Sequence, residues 1–131
     1  MKIKKIILFA CIAFLINCSH SQTVSPILEP SKFAEKIKST PQAIILDVRT
    51  PGEYHEGHIP NAVNYDWKNS TAFNDSIARL DKNSPVMVYC LAGVRSNAAV
   101  AFMEKLGFKN LVELKGGFRN WESSKLPEEK D

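Results

Sequence analysis

Cys90 and Arg95 frame the segment with the most evident chemistry in this 131-residue chain: CLAGVRS, residues 90–96. An apolar run, Val86-Met87-Val88-Tyr89, leads into it, and a helical pattern, SNAAVAFMEKLGF, leads out of it. The pattern predicts a strand, a tight turn and a helix, with a thiol at the carboxyl end of the strand. Backbone N–H groups at a helix start have no partners within the helix. A loop that curls there aims them at one point, and the helix dipole adds partial positive charge. The Cys90 sulfur is the nearest candidate anion, so its thiolate is expected to be favoured. Gly93 permits the turn, and Ser96 is expected to cap the helix. Arg95 adds a full charge and a forked donor set suited to an oxyanion. Leu91, Ala92 and Val94 add no acid to oppose it. A thiolate in a ring of amides can attack without a general base.

Other residues invite chemistry and are weighed against plainer roles. Asp47, Arg49 and Glu53 are charged, and a hydrogen-bonded network bracing the site is the role expected of them. Arg95 could bind a donor or form a structural ion pair that shapes the loop. His55 and His58 lie in YHEGH, but they are three apart with a glycine between, not four apart on a helix. A structural hydrogen bond is expected of His58, and no metal. Gly116 and Gly117 lack a following Lys-Ser/Thr pair and read as a turn into a helix. Trp67 and Trp121 read as packing residues.

These groups need a scaffold. SKFAEKIKST (31–40), TAFNDSIARL (71–80) and SNAAVAFMEKLGF (96–108) carry apolar residues at helical spacing. AIILDV (43–48), NAVNYD (61–66), VMVYC (86–90) and LVEL (111–114) read as short strands. TPGEYHEGH holds at most a turn or two of helix, and GGFRNWESS (116–124) turns into a last one. The alternation predicts a single α/β domain with a mainly parallel sheet and helices on both faces. In such sheets sites gather at the carboxyl ends of strands.

CLAGVRS resembles the active-site loop of the rhodanese (sulfurtransferase) family. DVRTPGEYHEGHIPNAVN (47–64) and LKGGFRNW (114–121) resemble that family's N- and C-terminal motifs. The likeness covers roughly residues 31–126, with Asn61 standing where the family often has glycine. It implies transfer of a sulfane sulfur from a donor such as thiosulfate, through a persulfide on Cys90, to a thiol or to cyanide. Leu91, Ala92, Gly93, Val94, Arg95 and Ser96 would form the substrate and persulfide loop, with Asp47, Arg49, Glu53 and His58 supporting it. No cofactor is implied. Two rivals are a cysteine phosphatase or arsenate reductase and a non-catalytic module on the same fold. The phosphatase-type loop needs a longer span between Cys and Arg than the four residues Leu91 to Val94. The module reading is weakened by the presence of Cys90.

The ends of the chain read differently. A basic start, MKIKK, precedes an apolar run from Ile6 to Ile16, too short for the roughly 20 residues that span a bilayer and suited to a signal peptide over 1–17. Leu15-Ile16-Asn17-Cys18 resembles a bacterial lipoprotein cleavage site. The expectation is a periplasmic protein anchored by lipid on Cys18. Residues 18–30 read as a tether, 31–126 as the domain and 127–131 as a solvated tail. Cleavage and lipidation would leave Cys90 as the one free thiol. The net charge of +3 comes entirely from Lys2, Lys4 and Lys5, leaving fourteen basic against fourteen acidic residues. No nucleic-acid footprint is expected from that balance. Nothing in the sequence indicates an oligomeric state.

Overall fold

Every strand in the sheet runs parallel, because a helix or long connection intervenes between each strand and the next. The structure is a computed structural model that describes residues 24–131. Its elements are β1 (Ile27–Leu28), α1 (Pro30–Ser39), β2 (Ile44–Asp47), α2 (Pro51–Glu56), β3 (Val63–Asn64), α3 (Ser70–Ile77), β4 (Val86–Tyr89), α4 (Val94–Lys105), β5 (Leu111–Leu114) and α5 (Gly117–Ser123). The sheet order is β1-β5-β4-β2-β3. The expected single α/β domain is present, with apolar clusters on both faces of its sheet.

Side chains alternate along each strand and so divide the core in two. Val86, Val88 and Cys90 pack with Phe73 and Ile77 of α3 and Ala99, Val100 and Met103 of α4. Met87 and Tyr89 pack on the other face with Phe33 of α1, Ile59, Phe118 and Trp121. Phe33 is fully buried, and burial of such a side chain contributes about 1.5–3 kcal/mol. The central strand β4 is buried along its whole length, which explains its unbroken apolar run.

The chain passes from β2 to β3 on one side of the sheet and then to β4 on the other side of β2. That reversal opens a crevice at the carboxyl ends of β2 and β4. Asp47 pairs in register with Tyr89, so the loop that follows Asp47 and the loop that begins at Cys90 are neighbours.

Three expectations are corrected. Of the stretch read as a tether over 18–30, the described part enters the domain, because Ile27 and Leu28 pair with Glu113 and Leu114 as an edge strand and Pro30 opens α1. The stretch read as a solvated tail, 127–131, is exposed as read, but it is tied to the domain by hydrogen bonds. Trp121 Nε1 donates to the Pro127 carbonyl at 2.9 Å, and His58 and Glu129 exchange backbone hydrogen bonds at 2.9 Å each. Ser96 is not a helix cap: α4 begins at Val94 behind Gly93, whose φ of 106° needs no side chain. The signal peptide (1–17) and Cys18 lie outside the described residues. No helix among the described residues is long and apolar enough to cross a membrane.

Candidate active site

Cys90 ends β4 with its side chain buried, the residue 1% exposed. The loop behind it folds back as its residue types require. Gly93 takes a left-handed conformation, and its amide donates to Cys90 Sγ at 3.0 Å. Ser96 Oγ lies 3.3 Å from Sγ. Burial pushes the Cys90 thiol up. Hydrogen bonds from the Ser96 hydroxyl and from the amides of Ser96, Gly93 and Ala92 outweigh burial and hold it below the ordinary thiol value. The loop thus turns the Gly93 amide onto the sulfur, and Ser96 adds its hydroxyl from inside the helix.

A second layer fixes the loop. Phe118 N donates to the Cys90 carbonyl at 2.7 Å and Arg119 N to the Leu91 carbonyl at 3.0 Å. The first turn of α5 thus satisfies the carbonyls that the loop turns away from the sulfur. Gly117 makes this approach possible, since a Cβ there would stand 2.5 Å from the Cys90 carbonyl oxygen. Its φ of 64° also disfavours other residues. The paired glycines are a turn into a helix, as read, and also the surface on which the cysteine loop rests.

Arg95 forms a bidentate pair with Glu53, each contact 2.8 Å. The structural ion pair is thus the arrangement present. Glu53 does a second task at the start of α2, accepting from Thr50 N at 2.9 Å while Thr50 Oγ1 accepts from Glu53 N at 3.3 Å. This is a capping box, readable as Thr-x-x-Glu. Arg95 first, then Thr50, draw the Glu53 carboxyl down to about 2 despite the opposing effect of partial burial.

Asp47 and Arg49 are brought together as a buried ion pair. Both are buried, with Arg49 Nη2 donating to Asp47 Oδ2 and to the Gly57 carbonyl, each at 2.6 Å. The Arg49 guanidinium lies 4.3 Å from the Phe118 ring centroid. It therefore packs against α5, whose first turn holds the loop. His58 is buried, contacts the Ile59 carbonyl through Nδ1 at 3.1 Å and stacks on Tyr54 at 3.9 Å between centroids. Its place is structural, at some remove from Cys90 along the α2 side. Trp67 packs edge-on against Phe73, and Trp121 against Phe33.

Glu113 was not foreseen. It is 4% exposed on β5 and accepts from Ser96 Oγ at 2.8 Å. An acid interrupting the apolar strand LVEL was the available sign. Asn61 shows why glycine is frequent at its position: its φ is 65°, a left-handed conformation that asparagine tolerates.

The fold and the cysteine loop define a class: residues 29–124 match the rhodanese-like domain family, and the chain belongs to it. Among solved structures, a rhodanese-related protein from Thermoplasma volcanium is similar with a TM-score of 0.70 and 29% identity, covering 81% of this chain and 99% of that one. The thiosulfate sulfurtransferase GlpE of Coxiella burnetii is 34% identical over 80 residues, 61% of this chain and 72% of that protein. A tRNA uridine(34) hydroxylase of Pelagibacter ubique is 36% identical over 94 residues, 72% of this chain and 31% of that protein. The chain spans less than half the length of the hydroxylases it matches.

Proposed function

We propose that this protein is a sulfurtransferase in which Cys90 carries a sulfane sulfur between a small donor, such as thiosulfate, and a thiol or cyanide acceptor. The Gly93 amide at 3.0 Å from Sγ, with the Ala92 and Ser96 amides also directed at it, is the observation that carries this reading. The thiolate attacks the outer sulfur of the donor and forms an S–S bond. The bond to the sulfonate breaks, and its electron pair leaves with sulfite. No proton is needed by that leaving group. The acceptor, as thiolate or cyanide, then attacks the outer sulfur and returns the electron pair to Cys90. The ring of amides stabilises negative charge on either sulfur. Burial of Cys90 limits attack to donors whose terminal sulfur can enter the loop.

Leu91 to Ser96 form the binding loop in this reading, and Asp47, Arg49, Glu53 and His58 support it. Arg95 holds the loop through Glu53, and its fork would have to leave that carboxylate to clamp a tetrahedral oxyanion. This disfavours the phosphatase rival. The likeness to GlpE supports thiosulfate as a donor to test. The leader and Cys18 further lead us to propose export to the periplasm with a lipid anchor.

Intact-mass spectrometry of the protein before and after thiosulfate tests the chemistry. One added sulfur atom, released as thiocyanate by cyanide and absent in Cys90→Ser, is expected. A mass unchanged by thiosulfate would overturn thiosulfate as donor, and failure of persulfide, polysulfide and thiosulfate alike would overturn the transfer itself. The same spectrum reads whether the mature N-terminus is a lipidated Cys18.

A further inference from the structure

The Ser96 hydroxyl has one hydrogen and three acceptors around it. Glu113 Oε1 is at 2.8 Å, the Gly93 carbonyl oxygen at 3.2 Å and Cys90 Sγ at 3.3 Å. Ser96 is fully buried and Glu113 nearly so. The carboxylate is the closest acceptor and carries charge, so it takes the hydrogen. The Ser96 lone pairs then face Cys90, whose S–H donates to them. A thiolate in that arrangement would face oxygen lone pairs instead of a donor.

We propose that Glu113 is a positioning residue that governs, through the single hydroxyl hydrogen of Ser96, whether the Cys90 sulfur is held as thiol or thiolate. The role rests on Cys90 being the reacting group proposed above. Ionisation of Cys90 turns the hydroxyl toward sulfur. Glu113 is left with Asn97 Nδ2 at 3.5 Å, on a strand flanked in register by Val88 and Ile27. Loss of that hydrogen bond by a buried acceptor is costly, so the Glu113–Ser96 contact opposes ionisation of Cys90. Gly93, Asn97, Glu113 and Lys115 line an open groove of about 450 Å³.

The charges around this pair are few. Arg95 of α4 is clamped by Glu53 of α2, and Asp47 of β2 is bound to Arg49. Glu104 of α4 shares a smaller, separate pocket with Glu113 and accepts from Ser25. Lys115, further along β5, pairs with Glu29. The part of β1 and its approach that lines this smaller pocket, Val24, Ser25 and Ile27, brings no titratable side chain.

The test reads ionisation and needs no sulfur transfer, so it stands or falls apart from the proposed activity. The pH profile of iodoacetamide alkylation is followed on the Cys90 peptide of the full chain by mass spectrometry, which keeps Cys11 and Cys18 out of the reading. Glu113→Gln is expected to lower the midpoint by about one pH unit, a tenfold change in the thiolate-to-thiol ratio at a given pH. Ser96→Ala is expected to raise the midpoint and to abolish most of the Glu113→Gln shift in the double variant. An unchanged midpoint in Glu113→Gln, or an equal shift with Ser96 absent, overturns the proposal. The wild-type protein provides a measurement independent of any variant's folding. The carboxyl carbon signal of Glu113 is expected to show a step at the Cys90 midpoint, where its hydrogen bond from Ser96 is lost. A signal that ignores that step overturns it.

Discussion

Cys90 is a buried thiol whose hydrogen-bond donors outweigh its burial, and the balance depends on single atoms. Cys90→Ser is expected to reduce sulfur transfer to background, since serine cannot carry the persulfide; thiocyanate release from thiosulfate and cyanide checks this. Arg95 and Glu53 spend their charge on each other. Arg95→Ala and Glu53→Ala are therefore expected to lower kcat/KM by similar factors, about 10- to 100-fold, as loss of a supporting contact does elsewhere. A double variant no worse than either single one is the expected outcome of the cycle. A much larger loss in Arg95→Ala alone would show that the guanidinium touches the donor directly.

Two short helices decide how the loop is held. α2 starts with the capping box of Thr50 and Glu53, so one carboxylate both caps a helix and anchors α4 through Arg95. Its folded value, near 2 against an ordinary 4.5, has a definite consequence. A depressed carboxyl contributes stability that is present above the unfolded value and lost as pH falls through the folded one. Urea unfolding is expected to show that loss between about pH 4.5 and 2, and Glu53→Gln should remove this contribution from the window. α5 acts through its first turn, where Gly117 lets its backbone reach the Cys90 and Leu91 carbonyls. Gly117→Ala incurs the left-handed penalty of about 1–2 kcal/mol and a clash with main chain besides. A urea midpoint lowered by at least that equivalent, with the slope unchanged, is expected, together with slower sulfur loading of Cys90.

Across the whole molecule, chain ends that look solvated in sequence are built into the domain. Removal of residues 127–131 takes away the His58–Glu129 bridge and the partner of Trp121 Nε1. At about 1 kcal/mol for each lost hydrogen bond, a destabilisation of about 2–3 kcal/mol is expected in thermal or urea melts, with the Cys90 loop intact below the transition. Local pattern determined much of this protein. The alternation of β-branched runs with helical spacing set the α/β class, and Cys90 at the end of the most apolar strand, with Gly93 behind it, set the turn of the Gly93 amide onto the sulfur. The pairing of Asp47 with Arg49 follows from opposite charges placed two residues apart at the end of a buried strand. What depended on contacts far apart in sequence was settled only by the packing. Ile27 and Leu28 have no strand signal of their own and become one because β5 offers an unpaired edge. Ser96 looks like a cap until Gly93 starts the helix earlier and frees its hydroxyl. Glu113 is seventeen residues from that hydroxyl, on another element. Hydrogen-bond periodicity is written along a chain, whereas which donor meets which acceptor is fixed by the register of β4 against β5 and the seating of α4 upon them.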